Sequence, residues 1–425
     1  MTMSQTPRSR PAILRVSCAV VLAATLAACG DGSDDPLAAK PYDATGQIAY
    51  STADGSRRVD PDKPLKITAR GDGNKITDVT ATDATGRYLR GELAADGREW
   101  HSTAPLAAGA HYTVRVSTED EDGRPGRQTV GFDTAPADAN LRVRFGPDAG
   151  VYGVGQPVTA ELSRPVRDAA ARAVVEGALH VTSHPAVNGA WHWVDSRTLH
   201  YRPRDFWPAD ARIEVTSTLQ GTRVEGGLYG GPAAPLTLRT GDRVVAVTDA
   251  GAHQLTLTRN GHRVRTVPVT TGKPGFATRN GIKVVLGKEP FVRMRSSTIG
   301  IDVGSHDSYD LPVHWATRVT WSGEYVHAAP WSVGSQGSAN VSHGCTGMST
   351  DNAHWFYDQV RPGDVVEVVG SEGRGMEPFG NGFGDWNLSW SEWLRGSALA
   401  AKGRPGGHDG TARQPGDAAR LAPRT

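Results

Sequence analysis

From residue 42 onward, apolar side chains recur at every second position in short runs, the period of a strand with one face buried. Residues 65–67, 79–81, 112–116 and 130–132 are such runs, and the turn pairs Asp72-Gly73, Asp96-Gly97 and Asp122-Gly123 fall between them. With Trp100 and the turn at 105–109, they predict an immunoglobulin-like β-sandwich over 42–136, one without a disulfide. Residues 143–145, 158–162, 199–201 and 213–215 predict a second such sandwich over 140–240. Each stretch carries a Trp, a proline turn and an alternating strand, a weak internal repeat.

The alternation continues at 243–248 and 254–258, and Asn260-Gly261 marks a hairpin before 263–269. Asn280-Gly281 marks another turn before 282–286. Over 319–327 the residues Val319, Trp321, Gly323, Tyr325 and His327 share one face, which predicts a single strand ending at His327. Ser349 or Thr350 is suited to cap a helix that runs to about Val360, with Trp355, Phe356 and Val360 on its apolar side. Arg361-Pro362-Gly363-Asp364 stops it, and 365–369 reads as a further strand. These elements predict a third domain over 242–370. Phe379, Phe383, Trp386, Trp390 and Trp393 crowd the segment 371–398, which is expected to dock on the domain before it. Residues 399–425 have little to bury and are expected to be a disordered tail. The fold class is therefore mainly β.

Among 425 residues, 51 Gly and 27 Pro favour a turn-rich β protein over helical bundles. A formal net charge of +1 excludes a broad nucleic-acid surface, which needs a basic excess. Arg8, Arg10 and Arg15 precede the apolar run 16–28, which falls short of the about 20 residues a membrane span requires. The run ends in Leu26-Ala27-Ala28-Cys29, which resembles a bacterial lipobox. Residues 1–28 are thus expected to be a cleaved signal, Cys29 the site of lipid attachment and 29–41 a flexible tether. The mature protein would be anchored to the outer face of the cell membrane. Of the three cysteines, Cys18 would leave with the signal and Cys29 would be acylated. Cys345 would remain as a lone thiol where stray thiols are a liability.

A thiol is only a few per cent ionised near neutral pH and needs a base or a positive potential to become a nucleophile. Around Cys345, the sequence supplies His327 and His343 as bases and a helix N-terminus near Ser349 as a source of potential. Gly344 and Gly347 leave room for substrate and for N–H groups facing an oxyanion. A zinc site from His327, His343 and Cys345 lacks a further Cys or acidic ligand at suitable spacing. His306, His314 and His354 read as surface or lid residues. No nucleotide motif appears, and nothing suggests a metal or organic cofactor.

The stretch from Glu324 to His327, then Ser342-His343-Gly344-Cys345, closely resembles the L,D-transpeptidases with a YkuD-type catalytic domain. Their signature is a His, then 14 to 17 residues, then Ser/Thr-His-Gly-Cys; here 14 residues separate His327 from Ser342. The whole chain resembles the multidomain actinobacterial lipoprotein branch, with two immunoglobulin-like domains, the catalytic domain and a Trp-rich extension. The resemblance implies an acyltransferase of cell-wall assembly. Cys345 would form a thioester at the third residue of a peptidoglycan tetrapeptide stem, releasing D-Ala. The amine of a second stem would then attack, giving a 3→3 cross-link. His327 would be the base, with His343 and Ser342 shaping the pocket and the Cys345 N–H entering the oxyanion hole. Tyr309 lies where the family places a lid tyrosine, with Met294 and Ile299 on the donor side. Carbapenems would acylate the same cysteine. Gly347 departs from the family, which commonly has Asn there. Two other readings remain: a non-catalytic wall-binding scaffold, favoured only by Gly347, and an L,D-carboxypeptidase or exchange enzyme.

Overall fold

The computed structural model describes residues 40–300 and 302–400, apart from the side chain of Ile299. The signal, Cys29 and nearly all of the tether lie outside the described residues, as does the tail from residue 401.

The fold is mainly β and begins with two sandwiches in series. In the first, one sheet orders Tyr42–Asp43, Pro125–Asp133, His111–Glu119 and Lys75–Asp83. The facing sheet orders Ile48–Tyr50, Lys66–Ala69, Glu99–Ser102 and Gly91–Leu93. The strand His111–Glu119 alternates exposed and buried along almost its whole length. Its inward residues Tyr112, Val114 and Val116 meet Ile67, Trp100 and Phe132 in one core. The second sandwich repeats the plan with Val143–Gly146, Val158–Leu162, Thr198–Pro203 and Gly189–Trp193 against Gly150–Tyr152, Leu236–Thr240, Arg212–Ser217 and Leu179–His184. It also holds a helix, Ala169–Gly177, that strand-period reading passed over. Asp168 caps it, its Oδ1 accepting from the Ala171 N–H at 2.9 Å. Ala171 and Val175 turn its buried side toward the sandwich core.

The third domain has two sheets. A five-stranded sheet orders His262–Pro268, Gln254–Arg259, Val244–Asp249, Val365–Val369 and Gly281–Val284. A four-stranded sheet orders Gly287–Arg295, Asp310–Arg318, Tyr325–Ala328 and Thr346–Met348. The helix Thr350–Gln359 packs between them, with Phe356 fully buried among Val244, Leu255, Val326 and Met348. Ser349 caps it by accepting from the Asn352 N–H at 3.3 Å.

One expectation needs correction and another is incomplete. Residues 319–324 do not belong to the strand that carries His327, which begins at Tyr325. Val319 N–H donates to Glu324 O at 3.0 Å, closing a turn in which Gly323 takes φ +98°, and Trp321 is 53% exposed. Alternation survives in the sequence because both a turn and a strand can place Tyr325 and Val319 inward. The extension, predicted to dock on the domain before it, packs on that domain and also reaches the second sandwich, which the sequence did not indicate. Trp393 is fully buried and donates Nε1–H to Ala190 O at 2.9 Å, and Trp386 does the same to Gly155 O at 2.8 Å. The aromatic side chains settle on the outer face of that sandwich's sheet, against the rings of His192 and His200 and the guanidinium of Arg202, while Trp191 and Tyr201 on the other face fill the sandwich core. The same segment is also tied to the third domain: Asn280 bonds the backbone of Ser371, Gly373, Arg374 and Met376, Asn381 bonds Trp321 and Ser322, and Asn387 bonds both the N–H and the C=O of Ile282.

Candidate active site

The strand Tyr325–Ala328 runs parallel to Thr346–Met348, pairing His327 with Gly347. Cys345 lies two residues before Gly347 and so falls on the same side as the imidazole. A cavity of about 250 Å³ opens between these strands and the hairpin Gly287–Arg295/Asp310–Arg318. Cys345, His327, His343, Ser342, Tyr309 and Met294 all line it. Gly347 lines it as well, whereas Gly344 does not. Ile299 belongs to the helical turn Ser296–Ile299 at the hairpin tip. The rest of the wall is mostly apolar, including Leu311, Val313, Trp331 and Val341, none of which the motif singles out.

His327 is buried, and its Nδ1 lies 2.7 Å from Ala328 O. A carbonyl only accepts, so Nδ1 carries the proton and Nε2 keeps its lone pair. Burial lowers the His327 pKa below the usual imidazole value, opposed by the bond to Ala328. The ring is therefore neutral and basic at neutral pH.

The thiol of Cys345 donates to Gly323 O at 3.6 Å and packs against the inner face of the hairpin, near Met294, Leu311 and Val313. Burial pushes its pKa up to about 12. Desolvation is the largest influence on the sulfur, and the resting pair is thiol and neutral imidazole. A proton must move as the substrate arrives.

Ser342 builds the loop. Its hydroxyl donates to Cys345 O at 2.7 Å and accepts from the Gly344 N–H at 3.1 Å. Thr278 Oγ1 donates to Gly344 O at 2.9 Å. Gly344 takes φ +119°, a conformation that L side chains rarely adopt, so glycine is required there. The His343 ring is clamped edge-on to Phe276 at 4.7 Å and tilted against Tyr309 at 5.1 Å. Its Nε2 sits 3.5 Å from Asp307 Oδ1, near enough for charge attraction but without hydrogen-bond alignment. Asp307 also meets Lys273 Nζ at 2.6 Å, which holds its carboxyl below the usual range. His343 thus joins the hairpin to the nucleophile loop. Burial pushes the Tyr309 pKa up to about 12, so its hydroxyl stays protonated and able to donate. His314 meets Phe291 edge-on and His354 stacks on Trp315, away from the cavity lining.

The family model described as "L,D-transpeptidase catalytic domain" matches residues 243–368, and the one described as "Bacterial Ig domain" matches residues 56–223. L,D-transpeptidase 2 of Mycobacterium tuberculosis is 36% identical over 354 residues, covering 83% of this chain and 85% of that protein. L,D-transpeptidase 5 of the same species is 31% identical over 405 residues, covering 93% and 87%. Among solved structures, an L,D-transpeptidase in complex with imipenem is 39% identical and covers 54% of this chain and 99% of that one, with a TM-score of 0.47.

Proposed function

Because this chain belongs to the L,D-transpeptidase family, we propose that it cross-links peptidoglycan stems 3→3 through a thioester on Cys345. One observation carries the reading: the only thiol among the described residues shares a cavity with an imidazole whose Nδ1–H is already committed, leaving Nε2 as the base.

The donor stem's amide carbonyl, between its third residue and D-Ala, enters beside Cys345. The Sγ–H proton passes to His327 Nε2 as sulfur forms its bond to the carbonyl carbon. The developing oxyanion is met by the Cys345 N–H and the Tyr309 hydroxyl. Imidazolium returns the proton to the departing D-Ala amine, and the C–N bond breaks to leave the thioester. The second stem's amine then attacks, His327 takes its proton, and the C–S bond breaks as the sulfur regains a proton. The apolar walls of Leu311, Val313 and Trp331 keep water scarce, which strengthens each charge interaction and favours an amine over hydrolysis. His343 and Ser342 hold the loop, and Met294 borders the donor side. Cys29 would carry the lipid anchor that keeps this chemistry outside the cell.

The thioester reading predicts a covalent carbapenem adduct. Intact-protein mass spectrometry should register one adduct per chain and none on Cys345→Ala; an adduct on that variant would assign the nucleophile elsewhere. Since the His327 pKa is lowered, the adduct rate should hold steady down to about the ordinary imidazole value of 6.5 and fall only below it, as protonation removes the base.

A further inference from the structure

Beneath the nucleophile lies a set of charges that the reaction above does not use. Lys283 projects from the strand Gly281–Val284 and is 1% exposed. Its Nζ is 2.6 Å from Glu324 Oε2, a contact between charges without the alignment of a hydrogen bond. Glu324 Oε1 accepts from Arg279 Nη1 at 2.9 Å, and Arg279 Nε lies 3.2 Å from Glu377 Oε2. Taking an ammonium and a carboxylate out of water is costly, and an apolar pair of similar volume would serve stability as well or better. The placement suggests what the cost supports. Glu324 sits between Gly323, whose carbonyl accepts from Sγ, and Tyr325, whose backbone N–H faces the sulfur. The turn that presents both backbone groups to Cys345 is therefore pinned by the Glu324 side chain.

We propose that Lys283 and Glu324 are positioning residues for the nucleophile: Lys283 supplies a buried positive charge that stabilises the thiolate as it forms, and Glu324 holds that charge and the two backbone groups at the sulfur. The proposal rests on Cys345 being the reacting thiol. The charges around the sulfur act in opposite directions: Glu324 raises its pKa and Lys283 lowers it. Burial depresses the Lys283 pKa, and the Glu324 carboxylate beside it opposes that. The other titratable groups facing the sulfur are the Tyr309 and Tyr325 hydroxyls and the His327 and His343 rings, with Arg279 behind Glu324.

The test is the alkylation rate of Cys345 by iodoacetamide in the full chain, followed on the Cys345 peptide by mass spectrometry. Well below the thiol pKa the rate tracks the thiolate fraction, so a shift of about one unit reads as about three- to tenfold. Lys283→Met should slow alkylation by that factor at each pH from about 7 to 9, Lys283→Arg should stay within about twofold, and Glu324→Gln should speed it. Rates of Lys283→Met and Glu324→Gln equal to that of the unsubstituted chain overturn the proposal. If Lys283→Met loses its cooperative thermal transition, Lys283→Gln takes its place with the same expectation, and a rate equal to that of the unsubstituted chain again overturns the proposal. Failure of the transpeptidase reading would look different: the carbapenem adduct would be missing while these alkylation differences remained.

Discussion

Gly347, where the sequence led to the expectation of an Asn, is tightly enclosed. A Cβ there would lie 3.0 Å from Ala329 Cβ and 3.1 Å from Thr270 Cγ2, tighter than ordinary packing allows. Glycine also keeps the strand position opposite His327 free of a side chain, so the imidazole and Cys345 face one open space. The substitution that favoured a non-catalytic scaffold is thus a packing solution. Gly347→Asn should destabilise the chain by about 1–3 kcal/mol through overpacking. Thr270→Ser removes the offending methyl but keeps the hydroxyl that donates to Ala339 O at 2.8 Å, and should recover part of the loss in urea unfolding. His327 and Cys345 were legible from the motif. Their resting charge was not, because desolvation depends on Met294, Leu311 and Val313, which arrive from a distant hairpin.

That hairpin, Gly287–Arg295 with Asp310–Arg318, is the element that closes the site. It is paired along its length and lays Val292, Met294, Leu311 and Val313 over the thiol. At its far end it is held by Asp307 on Lys273 and by Tyr309 against His343. Asp307 and Lys273 are partly exposed, so the pair adds little to global stability. It does decide how firmly the lid sits. Asp307→Asn should leave the thermal midpoint unchanged while lowering hydrogen-exchange protection over 287–318 alone. High salt should reproduce the effect in the unsubstituted chain, as should acidification through the lowered Asp307 pKa, which protonates the carboxylate. Neither strand of the hairpin stood out in the sequence, since charged and apolar residues are mixed at Arg293, Met294 and Arg295. The helix Thr350–Gln359 was legible, because its cap, apolar side and stop signal are all local.

The molecule as a whole has one loose joint and one tight one. The two sandwiches meet through polar contacts: Tyr229 Oη donates to Asp62 Oδ1 at 2.7 Å, Arg223 Nε lies 2.8 Å from the same oxygen, and Arg87 donates to Gln220 O at 2.9 Å. The second sandwich and the third domain are instead strapped together by the extension. His200 and Asp385 meet at 2.7 Å in the interior, Arg202 stacks under Trp386, Trp390 and Trp393, and Glu176 accepts from Trp193, Ser397 and the Ala398 N–H. Trp393→Ala should therefore cost about 3–5 kcal/mol in urea unfolding of the joined pair. The first sandwich, with its own core, should melt as before. Because Asn387 grips Ile282, beside Lys283, the same variant should also loosen the strand that carries the buried lysine.

Strand period, turn pairs, the helix cap and the His-to-Cys spacing are read along the chain, and each depends on neighbours only a few residues away. They were enough to establish a mainly β chain and to pick out the thiol and the imidazole that shares its cavity. The neutral state of that thiol, the Lys283–Glu324 pair beneath it and the docking of Trp393 on the second sandwich were decided by folding alone. Burial and charge pairing sum over groups that meet in space from distant segments, and no local period encodes which segments those are.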